Sequence, residues 1–126
     1  MPVLTQPPSM GDALKYELNP NYTRETVTLA EGTEYPAGAV LGRITTSGQY
    51  TFASHGGSDG AELAAGILLY PVDTRLSEAT GILLARGPAI LSRDALFYDG
   101  SVDDAAKIAL KHTELTLLGI VIRDSA

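Results

Sequence analysis

The sequence predicts a mixed α/β, β-rich domain: a small barrel or sandwich-like set of strands with one main helix near residues 102–113. Three observations support this prediction. Short runs of β-branched and apolar residues recur from residue 23 onward, turns rich in Gly and Pro separate them, and a single helical pattern follows near the C-terminus. Short strands at such spacing are typical of small barrels and sandwiches.

The length of the chain, 126 residues, is that of one domain. The first part of the chain differs in texture from the rest, because breakers such as Pro7-Pro8 and Asn19-Pro20-Asn21 interrupt it. We therefore predict a flexible N-terminal arm over residues 1–22 and a single domain over residues 23–126.

The arm carries a short strand-like alternation of Leu14, Tyr16 and Leu18. Two interpretations remain open at this point. The segment is either a loose terminal tail or an arm that is loose when free and pairs as an added strand on a partner. The two interpretations are compatible with each other.

Six strands are predicted in the domain, each bounded by turn residues. The fifth spans residues 81–87, and residues 89–91 are expected to continue it after Gly87-Pro88. The last is largely apolar, which predicts a central or well-covered strand. The predicted strands are residues 26–29, 39–44, 49–52, 66–70, 81–91 and 115–122.

The stretch from Asp59 to Leu69 is predicted to organise the fold. Gly56, Gly57 and Gly60 supply the backbone freedom of a tight turn, and the bulky residues from Ile67 onward follow it. An apolar run of this length between turn signals fits a fully buried strand, although its period does not exclude a buried helical turn.

The helix is predicted over residues 101–113, with Ser101 as its N-cap. Asp103 and Asp104 would then fall in the first turn, where the helix dipole favours carboxylates. Lys111 and His112 would fall in the last turn, where positive charge is favoured.

The charge of the chain argues against two classes of partner. The formal net charge is −6, whereas nucleic acids and anionic membranes reward Lys and Arg. We expect no signal peptide, because residues 1–10 have neither a basic start nor an apolar core, and no membrane span, because no apolar run is long enough. With two His and no Cys, we predict no metal site and no cofactor.

The cluster of His55, Ser58 and Asp59 invites a catalytic interpretation. Nucleophilic catalysis needs a base within hydrogen-bond reach of the hydroxyl and a third group that orients the base, and neighbours in one Gly-rich loop rarely meet that geometry. The loop also lacks the Lys-Ser/Thr ending of a phosphate-binding loop. We therefore predict no catalytic residue and no enzyme; the alternative is a small β-rich ligand-binding module or enzyme with a pocket near residues 55–60.

Several motifs, in order, resemble the phage lambda-type head decoration proteins. Asp59-Gly60-Ala61, followed by Gly66-Ile67-Leu68, is similar to the central motif of that family. The segments 21–27 and 37–42 resemble its arm–domain junction and the strand that follows. The helix and last apolar strand match the end of the family pattern. Each motif is short, and their order is what makes the resemblance specific.

The resemblance implies a capsid decoration (cement) protein of a bacteriophage virion. Members of that family bind as homotrimers to the outside of the expanded phage head at three-fold sites and stabilise it against internal DNA pressure. The implied partners are the chain itself and the major capsid protein, without nucleic acid or membrane. The implied location is the outer surface of the capsid, after synthesis in the host cytoplasm.

The resemblance also implies roles for particular residues. The family's N-terminal segment becomes ordered against the capsid and contributes a strand to its sheet. The capsid-binding side chains of this chain would accordingly be Leu14, Tyr16, Leu18 and Tyr22. A structural motif of Asp59, Gly60, Gly66, Ile67 and Leu68 would set the core strand. Another virion part, such as a tail or fibre module, is a weaker alternative.

Overall fold

The computed structural model describes residues 10–124, with the backbone alone at residues 10 and 12. It contains three α-helices, ten strands and one 3₁₀ turn over the described residues. In chain order these are α1 (Met10–Ala13), β1 (Leu14–Glu17), α2 (Pro20–Thr23), β2 (Arg24–Leu29), β3 (Glu34–Tyr35), β4 (Val40–Arg43), β5 (Tyr50–Phe52), β6 (Ala64–Leu68), β7 (Val72–Asp73), β8 (Ala79–Leu84), β9 (Ala89–Ser92), the 3₁₀ turn (Arg93–Ala95), α3 (Ala105–Thr116) and β10 (Ile120–Arg123).

Five strands form a barrel in the order β2, β5, β4, β6 and β8, with β8 returning to β2. The longest seam is antiparallel and runs from the pair Arg24–Leu84 to the pair Leu29–Ala79. Strands β2 and β5 are joined by a single parallel residue pair, Leu29 with Tyr50. This is the shortest strand pairing in the barrel. The predicted β-rich class with one main helix is confirmed.

A second sheet lies beside the barrel in the order β1, β9 and β10, and β3 pairs separately with β7. Strand β1 runs antiparallel to β9, and β10 runs parallel to it. Helix α3 packs against β10 and β6. The helix therefore links the second sheet to the barrel.

Strand β6 is buried on both of its faces, which explains why residues 66–69 form an apolar run instead of an alternation. Leu68 belongs to a core cluster with residues of β2, β4 and β8. Ile67 belongs to a second cluster that joins the barrel to β9, β10 and α3. The prediction of a buried strand is confirmed, and the helical-turn alternative is wrong.

The predicted helix exists, but its boundaries differ from the prediction. It spans Ala105–Thr116, and its N-cap is Asp104, whose side chain accepts a hydrogen bond from the Lys107 N–H. Ser101 was the wrong cap because its hydroxyl is engaged elsewhere: it donates to Asp99 Oδ2 at 2.5 Å. Asp103 consequently precedes the helix, and Lys111 lies in its buried middle.

Two strand predictions were also wrong. Residues 89–91 do not continue the preceding strand, because the chain leaves the barrel and Ala89–Ser92 becomes the middle strand of the second sheet. The last strand is shorter than predicted and lies at a sheet edge, because helix α3 continues to Thr116 and the chain turns at Gly119, whose φ is +85°.

The described part of the predicted arm packs against the domain. Strand β1 pairs with β9 through Leu14–Leu91, Tyr16–Ile90 and Glu17–Ala89. The preceding residue, Ala13, is buried. Residues 1–9 of the predicted arm lie outside the described residues. The division of the chain at residue 22 stays a prediction.

Candidate functional site

The four side chains predicted to bind a capsid divide into one anchor and three exposed groups. Leu14 is partly buried and packs against the larger core cluster. Tyr16, Leu18 and Tyr22 are exposed. We refer to residues 14–23 as the N-terminal platform, because they present these three side chains from a strand and a short helix instead of from an irregular tail.

An ion pair between Glu17 and Arg24 fixes the platform to the barrel. Arg24 Nε lies 3.0 and 3.2 Å from the two carboxylate oxygens of Glu17, and a guanidinium nitrogen contacts the same carboxylate. The Thr23 hydroxyl donates to Glu17 Oε2 at 2.6 Å. These hydrogen bonds, that of Arg24 above all, lower the pKa of Glu17 despite its desolvation.

A second arginine holds the next turn of the platform. Arg86 donates a hydrogen bond to the carbonyl oxygen of Tyr22 and pairs with Glu25. Its guanidinium lies 5.5 Å from the centre of the Tyr22 ring, a distance at which a cation attracts the ring face. The Asn19 side chain completes the turn by accepting from the Asn21 N–H at 2.9 Å.

An open groove of about 470 Å³ borders the platform. Its polar wall includes Arg24, whose guanidinium lies 3.5 Å from the hydroxyl of Tyr70. Tyr70 is exposed, so the groove presents an aromatic side chain next to the Pro20–Asn21 turn of the platform. The groove is lined by Pro20, Asn21, Arg24, Glu25, Thr26, Tyr70 and Ile82.

The sequence interpretation missed Tyr70, Arg24 and Arg86. Tyr70 stands at the end of an apolar run, and nothing in its neighbourhood distinguishes it from a core aromatic residue. Arg24 and Arg86 lie far apart in the chain, and the pairing of β2 with β8, in which Arg24 lies opposite Leu84, brings both within reach of the platform. The local sequence carries no signal for that pairing.

The central motif is built as a rigid turn. Asp59 Oδ1 accepts a hydrogen bond from the Ala61 N–H at 3.0 Å, and Glu62 Oε2 accepts from the Gly60 N–H at 2.8 Å. Gly60 has φ +100°, a conformation that favours glycine. A Cβ added at Gly42, on the facing strand, would lie 2.0 Å from the Ala61 carbonyl oxygen. The turn therefore sits directly against β4.

Helix α3 clamps the same turn through a buried cation. Lys111 is 1% exposed, donates to the Glu62 carbonyl oxygen and lies 3.3 Å from Glu114 Oε1. The Glu114 oxygen also accepts from the Ala64 N–H at 2.8 Å. The sequence interpretation missed this role. The spacing of Lys111 and Leu115, four residues apart on one helix face, was a signal that could have indicated it.

The loop that carries His55, Ser58 and Asp59 is held through backbone N–H groups. His55 and Ser58 are exposed, and the His55 N–H donates to the Ser101 hydroxyl at 2.8 Å. Asp59 holds the turn just described. The described hydrogen bonds of this loop give no support to a nucleophile and its base.

Among the side chains that the structure describes in the range 10–124, which exclude those of residues 10 and 12, no three His, Asp or Glu gather in a way that would hold a metal ion. None of the helices in that range is both long and apolar enough to cross a membrane.

One comparison with known proteins gives a family. The family model described as bacteriophage lambda head decoration protein D matches residues 3–120, which is nearly the whole chain. The search of curated proteins returned no significant match.

Proposed function

We propose, since this chain belongs to the bacteriophage lambda head decoration protein D family, that it binds as a homotrimer to the outside of the expanded phage head at three-fold sites. Family membership makes it a structural protein of the phage head, and the family is not one of enzymes. The proposal adds that the trimer stabilises the shell against the pressure of the packaged DNA. The match over residues 3–120 is the observation that carries it.

The N-terminal platform supports contact with the major capsid protein. Tyr16, Leu18 and Tyr22 are exposed, and so is Tyr70 in the groove that borders the platform. Tyrosine is enriched at protein interfaces because it buries a large apolar ring while its hydroxyl finds a polar partner. The backbone that carries these side chains is already ordered by its pairing with β9, so little backbone entropy would be lost when a partner covers them.

Strand β1 offers a second way to engage the capsid. In the described sheet it lies at one edge, with β9 on its inner side. An edge strand presents backbone N–H and C=O groups to an added strand. A strand of the capsid protein would pair there without separating β1 from β9.

The charge and symmetry of the proposed assembly agree with this function. A net charge of −6 suits a protein on the outside of the shell, where it does not contact DNA. Three platforms on one trimer would bind a three-fold site together, so their combined affinity greatly exceeds that of one. Closed cyclic symmetry is the usual arrangement of homo-oligomers.

The experiment is co-sedimentation of the purified protein with phage heads before and after expansion. We expect binding to expanded heads and a marked loss of affinity for Tyr16→Ala and Tyr22→Ala. Leu76→Ala, at an exposed position between β7 and β8, is the matched control and should bind like the unchanged protein. Failure to bind either form of head would contradict the proposal.

The alternative function, a ligand-binding module or enzyme with a pocket near residues 55–60, receives no support from the loop's hydrogen bonds. They connect His55 to Ser101 and Asp59 to Ala61, and so stabilise backbone turns. The groove described above lies against β2 and β8.

A further inference from the structure

The solvent face of helix α3 carries no charge. Around a helix of 3.6 residues per turn, its exposed positions fill one continuous arc of roughly 140°. Lys107, Lys111, His112 and Glu114 all lie outside that arc and are partly or fully buried. This is the reverse of an ordinary surface helix, whose charged side chains face water. We call the arc the uncharged face of α3; it consists of Ala105, Ala106, Ala109, Leu110, Thr113, Thr116 and Leu117.

The hydroxyl groups of the two threonines on this face donate their hydrogen bonds within the helix. Thr113 Oγ1 donates to the Ala109 carbonyl oxygen at 3.0 Å, and Thr116 Oγ1 donates to the His112 carbonyl oxygen at 2.8 Å. With the hydroxyl donors satisfied inside the helix, the face is ready to be covered without leaving them unpaired.

An exposed leucine from the central turn extends the apolar surface. Glu114 follows Leu110 by one helical turn and accepts from the Ala64 N–H, while Lys111 holds the Glu62 carbonyl. The residue between these contacts, Leu63, is exposed. Exposed large apolar side chains mark an interface when they are clustered. Three such side chains are Leu63, Leu110 and Leu117, and Leu117 is 82% exposed.

We propose that copies of this chain meet through the uncharged face of α3, which lines the three-fold axis and is covered there by the same face of the other two copies. Each copy has a net charge of −6, and like-charged copies repel one another. Contact is least opposed where neither copy presents a charge. This inference rests on the proposed homotrimer and assigns its interface.

The spacing of the face favours a helix of the same chain as the partner. Ala106, Leu110, Thr113 and Leu117 follow one another at intervals of four, three and four residues, the pattern by which identical helices pack along a seam. The small side chains of Ala109 and Thr113 let two helices approach closely, while the leucines fill the space on either side.

The test compares the masses of matched variants in solution by light scattering. We expect a trimer for the unchanged protein. In Leu117→Glu and Ala109→Glu, a buried unpaired carboxylate should raise the concentration for half-dissociation by about tenfold or more. Leu76→Glu, at a position 94% exposed outside the face, should leave the trimer unchanged. Circular dichroism of each variant monitors folding.

A milder substitution keeps the test decisive if a glutamate variant fails to fold. The chain has no cysteine, so Thr113→Cys introduces one thiol on the face and Ser77→Cys introduces one outside it. A short bis-maleimide should join copies of the first variant efficiently, and copies of the second only at background level.

The outcomes separate this inference from the proposed function. A trimer that survives both glutamate substitutions, together with equal cross-linking at residues 77 and 113, would overturn the interface and leave the trimer standing. An unchanged protein that is monomeric at high concentration would overturn the trimer itself and the interface with it. Head binding, measured separately, tests the capsid role in either case.

Discussion

Two regions of this protein are each held by an ion pair, and the two pairs differ in how deeply the cation is buried. In the N-terminal platform, Arg24 holds the carboxylate of Glu17, and their side chains are 21% and 9% exposed. In the centre, Lys111 and Glu114 hold the turn before β6, and their side chains are 1% and 12% exposed. The two carboxylates are similarly buried and only the cations differ, so we expect the fully buried Lys111 to hold the fold and the Glu17–Arg24 pair to hold the proposed capsid-binding platform onto it.

The largest effect is expected at the central clamp. Lys111→Ala would leave the Glu114 carboxylate and the Glu62 carbonyl without their cation, and breaking a buried pair by removing one partner costs about 3–5 kcal/mol. Urea unfolding measures the loss. Lys111→Met, which keeps most of the packing, is the companion variant. If Lys111→Met lost no stability, the contribution of Lys111 to the free energy of unfolding would come from its apolar stem and not from its charge.

A second effect is expected at the contact between the central turn and β4. Gly42→Ala would place a Cβ 2.0 Å from the Ala61 carbonyl oxygen, and overpacking of this kind costs about 1–3 kcal/mol. Gly100→Ala is the control, because an added Cβ there meets no atom within 4 Å. Equal unfolding midpoints for the two variants would show that the turn is free to move away from β4.

A smaller effect is expected at the platform. Glu17→Gln replaces a hydrogen bond to a charged group, which contributes about 1.5–3 kcal/mol, with a neutral one of about 0.5–1.5 kcal/mol, so we expect a loss of about 1 kcal/mol. Hydrogen exchange should quicken over residues 14–17 and stay slow in β6. Uniformly faster exchange over the whole chain would contradict the separation of the two regions.

The pH dependence of the platform follows from the same pair. The pKa of Glu17 is lowered from its ordinary value of 4.5, so the folded chain favours the ionised carboxylate. That contribution to stability is fully present above pH 4.5 and is lost as the pH falls through the folded-state pKa. The difference in stability between the unchanged protein and Glu17→Gln should therefore shrink on acidification below pH 4.5. A constant difference would show that Glu17 is not held as an ion pair.

The sequence predicts the two regions unequally. The central strand was recognisable because Ile67, Leu68 and Leu69 form an apolar run, and both faces of β6 are buried. The role of Lys111 was not, because a lysine in a helix is ordinarily exposed, and its burial depends on a carbonyl 49 residues away.

In the platform, the sequence indicated the strand but not the strand that it pairs with. The alternation of Leu14, Tyr16 and Leu18 indicated a strand, but its neighbour β9 is far along the chain and had been assigned to the barrel. A strand's period states which side chains share a face, and it does not identify the partner strand. The predicted start of helix α3 was wrong for a related reason. Ser101 and Asp104 are both residue types that cap helices well, and a tertiary contact with His55 occupies the Ser101 hydroxyl.

The central claim, that this protein decorates the outside of the phage head, is tested most directly by electron cryomicroscopy of expanded heads mixed with the purified protein. We predict trimeric density on the outer surface at the three-fold sites, with Tyr16 and Tyr22 facing the shell and the α3 helices facing one another. Expanded heads without added outer density, or trimers bound with the platform facing solvent, would contradict the account.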